Sequence, residues 1–528
     1  MEIFERIAKD SGGPIGQYRD RAHGYFVFPR LEGELGPHMR FNGVDVLNWS
    51  LNNYLGLANH PEIRKVDAEA AAKWGMAYPM GARMMSGNTR LHERLEQELA
   101  DFERKEAAYE FNFGYQGIVS TIDALVTRHD VIVFDSEAHA CLIDGKRLHL
   151  GKSFHFKHND IESCERTLQR ATEIVEKTGG GILLITEGVF GMTGALGILD
   201  QIVELKKKYK FRILIDDAHG FGVMGPTGRG TSEHFGVMDE IDLYIGAYAK
   251  SMAIIGGFVA GPKYVIDYLR YNMRSQMYAK SLPMPIVEGC LKRLEIIRSA
   301  EGDELRKKLW TVTRALQKGF RDLGFEIGPA EACVTPIFLP GNEIQATQIA
   351  QDLRTNYKIF CSIVTYPVIP RGMIIFRIIP TAACPITIGP EPIIITLLMS
   401  FLFAILSSSE IYINFLLNKV FVNEAKLALV HRCKRAAENS PAFKGCCAPL
   451  GKKLFRVYRV FRANLKHRKA GVCCNSKAAP RIYRHQFNQP LKRHNFCPYE
   501  VGVEQGKGAL KSHNAHSASL KAAPLFLF

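Results

Sequence analysis

The chain has 528 residues, 47% hydrophobic and 23% charged, which excludes a disordered or fibrous protein and supplies core for one large domain and a smaller one. A formal net charge of +15 would suggest a polyanion or membrane surface as partner, but 22 Lys+Arg against 4 Asp+Glu lie from Ile411 onward. That surplus of 18 leaves the first 410 residues at −3, so the basic character belongs to the tail.

The opening "MEIFERIAKDSGG" holds no apolar run of the kind that leads a secreted chain. Five scattered cysteines before residue 384 (Cys141, Cys164, Cys290, Cys333 and Cys361) read as reduced thiols, so the cytoplasm is the expected compartment. Residues 1–44 form an N-terminal segment. From 45 to 290, short apolar runs end in polar tips: "DVIVFDSEAH" (130–139), "GILLITEGVF" (181–190), "FRILIDDAHG" (211–220) and "IDLYIGAYAK" (241–250). Charged amphipathic stretches at 91–105, 160–177 and 199–210 separate them. Apolar runs without alternation, divided by helices, predict an α/β large domain whose mostly parallel sheet is covered on both faces. Such sheets bind ligands at the C-terminal ends of their strands. Residues 291–383 predict a small α+β domain: a long helix over roughly 286–323, a strand in "VTPIFLPG", a helix over 343–357, and strands in "IFCSIVTYPV" and "MIIFRIIP".

Beyond residue 383 the regularity fails. "PIIITLLMSFLFAILSSS" (392–409) has the length of a borderline membrane span or a buried helix, and an irregular basic stretch follows. The preferred reading of 384–528 is a foreign or frameshifted tail. Its basic run 452–469 reads as solvated rather than as a binder of nucleic acid or anionic lipid. Its adjacent cysteine pairs lack the spacing of a zinc site, so no metal is expected. "GKRLHLGKS" (145–153) is not a phosphate loop, because five residues separate its glycines where four are required.

The strand tips carry the chemistry. Lys250 closes an apolar run and is followed by small residues; burial would lower its pKa and make it a Schiff-base amine, though taken alone an ordinary strand-edge lysine is the better reading. Asp216 lies on a second tip, with His219 three residues on, and His139 on a third. A lysine amine with a carboxylate for a pyridinium nitrogen is what pyridoxal phosphate requires. His139 would stack on the ring, and the glycines of "NFGYQG" (112–117) would let a helix N-terminus approach a phosphate.

These residues lie in blocks that make the chain recognisable. "NNYLGLANHPE", "MGARMMSGNTRLHERLEQELADF", "DSEAHA", "TEGVFGMTG", "IDDAHGFGVMGPTGRG" and "AKSMAIIGGFVAG" keep their order between about 45 and 383. The chain resembles the α-oxoamine synthases, pyridoxal-phosphate enzymes of the aspartate-aminotransferase fold (fold type I), and "YPMGARMMSGNT" is most similar to bacterial serine palmitoyltransferases. The resemblance implies that 45–290 is the cofactor-binding domain. It implies that Lys250 binds the cofactor and moves the α-proton, Asp216 pairs with the pyridine nitrogen, and His219 reaches the phenolic oxygen. His139 would stack on the ring, Gly114 and Tyr115 would offer N–H groups to the phosphate, and Arg377 would hold the substrate carboxylate. Asn52 and Tyr54 match a segment that enters the active site, often across a homodimer interface. The implied reaction is a decarboxylating Claisen condensation of an amino acid, L-serine favoured, with palmitoyl-CoA, giving 3-oxosphinganine, CoA and CO2 for sphingolipid synthesis. Glycine C-acetyltransferase and 8-amino-7-oxononanoate synthase activities are the alternatives; an inactive homologue or a partner-binding subunit, in peripheral contact with the inner face of the membrane through its tail, is the alternative of another class.

Departures are visible. Ala247 and Ala249 stand where relatives carry a threonine and a small residue, often serine. Ala279 stands where a phosphate-binding hydroxyl is usual, leaving Ser281 as the nearby donor, and Gly191 replaces a serine of some relatives. After Ala383, "CPITIGPEPIII" replaces the expected histidine-threonine pair and closing helix, a loss that would expose the small domain's sheet.

Overall fold

The computed structural model describes residues 2–383 apart from 11, 25 and 340; the apolar run 392–409 and the basic tail, with the readings attached to them, lie outside the described residues. A seven-stranded sheet organises the larger part. Its strands are β4 (Ala107–Phe111), β5 (Val131–Asp135), β6 (Lys152–Phe156), β7 (Ile182–Glu187), β8 (Arg212–Asp216), β9 (Leu243–Ala247) and β10 (Gly257–Gly261), after three short N-terminal strands, β1 (Leu31–Glu32), β2 (His38–Phe41) and β3 (Val44–Asn48). The order is β4-β10-β9-β8-β7-β5-β6, and only β10 runs against the rest of this sheet.

The register explains the unbroken apolar runs. Leu184, Ile213 and Ile215 enter one buried cluster, while Leu183, Ile185 and Leu214 enter another on the opposite face. With both faces dry, every position of β7 is buried, and polar residues are displaced to the strand ends. β4, β6 and β10 were not marked by the sequence runs. β10, "GFVAG", is short and glycine-bounded because Gly257 lies against the Phe111 ring and the Gly246 carbonyl, where a Cβ would stand 2.6 and 2.8 Å from them.

The remaining strands, β11 (Thr335–Phe338), β12 (Ile359–Phe360), β13 (Ser362–Val364) and β14 (Ile375–Ile378), build two smaller sheets. β11-β14-β13 is antiparallel, while β12 pairs parallel with β3, so the N-terminal segment shares a sheet with the chain near residue 360. The long helix expected over 286–323 is two helices, Met284–Arg298 and Ala300–Asp322. Ser299 breaks the run: its backbone is extended, and its hydroxyl accepts the Gly302 N–H, with Glu301 and Asp303 in the new first turn.

Candidate active site

Four parallel strands and one helix deliver polar groups to one edge. Asp216 is the last residue of β8, and Glu187, the last of β7, is its cross-strand partner. His139 caps the helix Ala140–Leu148 after β5, its Nδ1 accepting the Cys141 N–H at 3.3 Å. Lys250 lies three residues past the end of β9, in the turn rather than on the strand tip. The helix Gly114–Leu125 follows β4 and starts with no side-chain cap, leaving its first N–H groups free to meet an anion. Gly114 and Tyr115 are those first residues.

A second set arrives from the smaller sheets. Arg377, on β14, donates from Nε to the Gly191 carbonyl at 2.7 Å and from Nη1 to Asn52 Oδ1 at 3.4 Å. Its Nη2 is buried and has no partner among the described residues. The Tyr54 hydroxyl is 2.6 Å from His219 Nδ1. The other ring nitrogen of His219 faces Gly191, where a Cβ would stand 2.4 Å from Nε2. A serine at 191 would meet the imidazole, so in this chain the glycine is what seats His219.

The groups act on one another. Burial lowers the Lys250 ammonium below its ordinary value; Asp216 opposes that shift and Arg377 adds to it. Among the described residues the Lys250 amine has no hydrogen-bond or ion-pair partner. Burial lowers His139 and, more strongly, His219, with Lys250 and Arg377 reinforcing both, so both imidazoles are neutral near pH ~7. Glu187 is pushed well above the usual carboxylate range, first by burial and then by Asp216. Asp216 Oδ1 accepts the Ala218 N–H at 3.0 Å.

Ser281, the hydroxyl expected at the phosphate, is engaged locally. Among the described residues its backbone N–H and its hydroxyl both donate to the Gly81 carbonyl, at 2.9 and 3.0 Å. Two residues at the centre carried no role in the sequence reading. Glu187 Oε1 accepts the His139 N–H at 2.6 Å and so fixes the loop that presents the imidazole. Cys141 places its thiol 2.9 Å from His139 Nδ1. "TEGVFGMTG" and "DSEAHA" were visible as blocks, but only the β7–β8 register puts Glu187 beside Asp216.

A half-buried amine and a guanidinium N–H that have no partner among the described residues, a carboxylate at the neighbouring strand end and an uncapped helix start suit a pyridoxal-phosphate enzyme of the aminotransferase fold. Residues 44–386 match the family model "Aminotransferase class I and II". Over 382 residues the chain is 62% identical to a cysteate-C-fatty acyltransferase of Capnocytophaga ochracea, covering 72% of this chain and 90% of that one. It is 34% identical to a serine palmitoyltransferase of Bacteriovorax stolpii over 353 residues, 67% of this chain and 82% of the relative. Among solved structures, a Sphingomonas wittichii serine palmitoyltransferase superposes with a TM-score of 0.70 at 26% identity, covering 77% of this chain and 99% of that one. The chain belongs to the α-oxoamine synthases within aminotransferase class I and II, and it is a pyridoxal-phosphate-dependent acyltransferase.

Proposed function

We propose that the protein condenses L-cysteate with a long-chain acyl-CoA. The bond formed joins the amino acid Cα to the acyl carbonyl; CoA leaves as the thiol and the carboxylate as CO2, giving a 2-amino-3-oxoalkane sulfonate. The observation that carries the choice is the 62% identity to a cysteate-C-fatty acyltransferase, sustained over 382 residues. The motif blocks, and the likeness to a serine palmitoyltransferase at a TM-score of 0.70, favour a second reading: L-serine with palmitoyl-CoA, giving 3-oxosphinganine. Condensations of glycine or alanine with shorter acyl groups are weaker readings on the same residues.

Bound pyridoxal phosphate supplies the electron sink for the carbanion at Cα. The chain's own residues do the rest. Lys250 Nζ, whose ammonium form burial disfavours, would hold the cofactor and then take and return the proton at Cα. Asp216 would hold a proton at the ring nitrogen, and His139 would cover one ring face. His219, oriented by the Tyr54 hydroxyl, would serve the phenolic oxygen. Gly114 and Tyr115 offer N–H groups to the phosphate. Arg377, anchored through Nε and Nη1, turns Nη2 to the substrate carboxylate.

The deciding experiment pairs cysteate, serine, glycine and alanine with short and long acyl-CoAs and identifies the product by mass spectrometry. A long-chain amino-oxo sulfonate from cysteate, at a kcat/KM at least ~10-fold above that with serine, supports the proposal; one order of magnitude is ~1.4 kcal/mol of discrimination at the transition state. A preference for serine selects the second reading. No product from any pair, with Lys250→Ala indistinguishable from the native protein in cofactor absorbance, leaves a non-catalytic homologue.

A further inference from the structure

The first turn of the helix Ala140–Leu148 buries one thiol among the charged groups of the site. Cys141 is 1% exposed, so it is a fixed part of the wall rather than a surface nucleophile. Its Sγ is 2.9 Å from His139 Nδ1 and 3.6 Å from Asp216 Oδ2. Nδ1 already accepts the Cys141 N–H, so that nitrogen carries no proton and His139 is the neutral Nε2–H tautomer. Burial, then the Asp216 and Glu187 carboxylates, drive the thiol pKa far upward; it therefore keeps its proton. One S–H faces two acceptors, and it can satisfy one at a time. Asp216 Oδ1 is occupied by the Ala218 N–H, and among the described residues Cys141 is the donor that faces Oδ2. Oδ2 is therefore the oxygen left to meet a ring nitrogen, and the weakest common donor in proteins is the one beside it.

We propose that Cys141 is a positioning residue: its thiol lies between His139 and Asp216 and, by donating only weakly to Oδ2, leaves that oxygen the charge it needs to hold a proton on the pyridine nitrogen. The inference rests on the pairing of Asp216 with the ring nitrogen proposed above. A serine hydroxyl here would draw more charge from Oδ2 and loosen the ring proton. An alanine would draw none and tighten it. The two substitutions therefore act in opposite directions, which damage to packing would not do.

The test uses the full chain loaded with pyridoxal phosphate labelled at the pyridine nitrogen, and reads the nitrogen NMR shift as a function of pH for the native protein, Cys141→Ser and Cys141→Ala. The expected result is an apparent ring-nitrogen pKa lowered in Cys141→Ser and raised in Cys141→Ala, each by roughly half a unit to one unit, the size of one hydrogen bond. Cofactor affinity, read by fluorescence, should stay within about threefold in both, because neither change touches a group that binds the phosphate or the aldehyde carbon. Shifts in the same direction, or none, overturn the role of the thiol while leaving the enzyme reading intact. A ring nitrogen that does not respond to Asp216→Asn in the same experiment overturns the pairing itself, and with it both the inference and the reading beneath it.

Discussion

Arg377 shows how one side chain divides its donors. Nε and Nη1 are committed to Gly191 and Asn52, and the planar fork leaves Nη2 alone in the site. A lysine has one nitrogen for all three tasks and cannot hold its own position and a carboxylate together. Arg377→Lys should raise KM for the amino acid by about 10–100-fold, the loss of a charge-assisted hydrogen bond of roughly 1.5–3 kcal/mol, with a much smaller change in kcat. Steady-state kinetics at saturating acyl donor checks this, and an unchanged KM removes Arg377 from substrate binding. Lys250, Asp216 and His139 were legible in the sequence because a polar residue after an apolar run is conspicuous. Glu187 and Cys141 were not, because their importance lies in what stands opposite them, and a linear chain does not display register.

The helix Arg90–Phe102 ends on a residue that makes little sense for the element alone. Glu103 is fully buried, and among the described residues neither carboxylate oxygen has a partner. Burial, then the nearby Asp217, push its pKa well above the ordinary range, and Asp217 itself is raised to about 7, chiefly by burial. The folded chain therefore keeps protons that the unfolded chain gives up near pH ~4. Their contribution to stability is full below that range and is lost as pH rises toward about 7 and beyond. Glu103→Gln, which cannot ionise, should flatten this decline and gain about 1–3 kcal/mol at pH ~8 relative to the native chain. Thermal unfolding at pH ~5 and ~8 measures it, and equal slopes for the two proteins would remove Glu103 as the cause. Elements with long apolar or amphipathic runs were readable from the sequence. The break at Ser299 was overlooked although its signal, a serine ahead of acidic residues, was present, because the flanking helical pattern continues across it.

At the scale of the molecule, one surface remains to be covered. Arg83 is held inside by Glu96 at 2.9 Å and Glu110 at 3.3 Å, and this fixes the turn Arg83–Gly87 so that Met84 and Met85 face outward. With Met76, Tyr78 and Met80 they make an exposed apolar stretch, Met80 and Met85 at 76% and 78%. Single-chain proteins rarely leave so much apolar surface in one place. A homodimer is proposed to cover it. Light scattering on the native protein should give twice the chain mass of 59.2 kDa, and Met80→Glu with Met85→Glu should shift it toward one chain. A native protein of single-chain mass would refute the dimer. The fold class was legible because its period and strand tips are local; the union of β3 with β12 was not, since it joins residues more than 300 apart.

The chain just after β3 carries a second tie, with a mechanical side. Ile379 donates to the Trp49 carbonyl at 2.9 Å, Ala382 to that of Tyr54 at 2.7 Å, and the Thr381 hydroxyl to that of Asn53. The strand bearing Arg377 and the loop bearing Asn52 and Tyr54 are thus sewn together within the last few described residues. Tension applied to the chain at Ala383 reaches the guanidinium and the phenol before it reaches the lysine. Under the proposed roles, a pull from that end should weaken the hold on the amino acid before the hold on the cofactor, whose residues are seated in the large sheet.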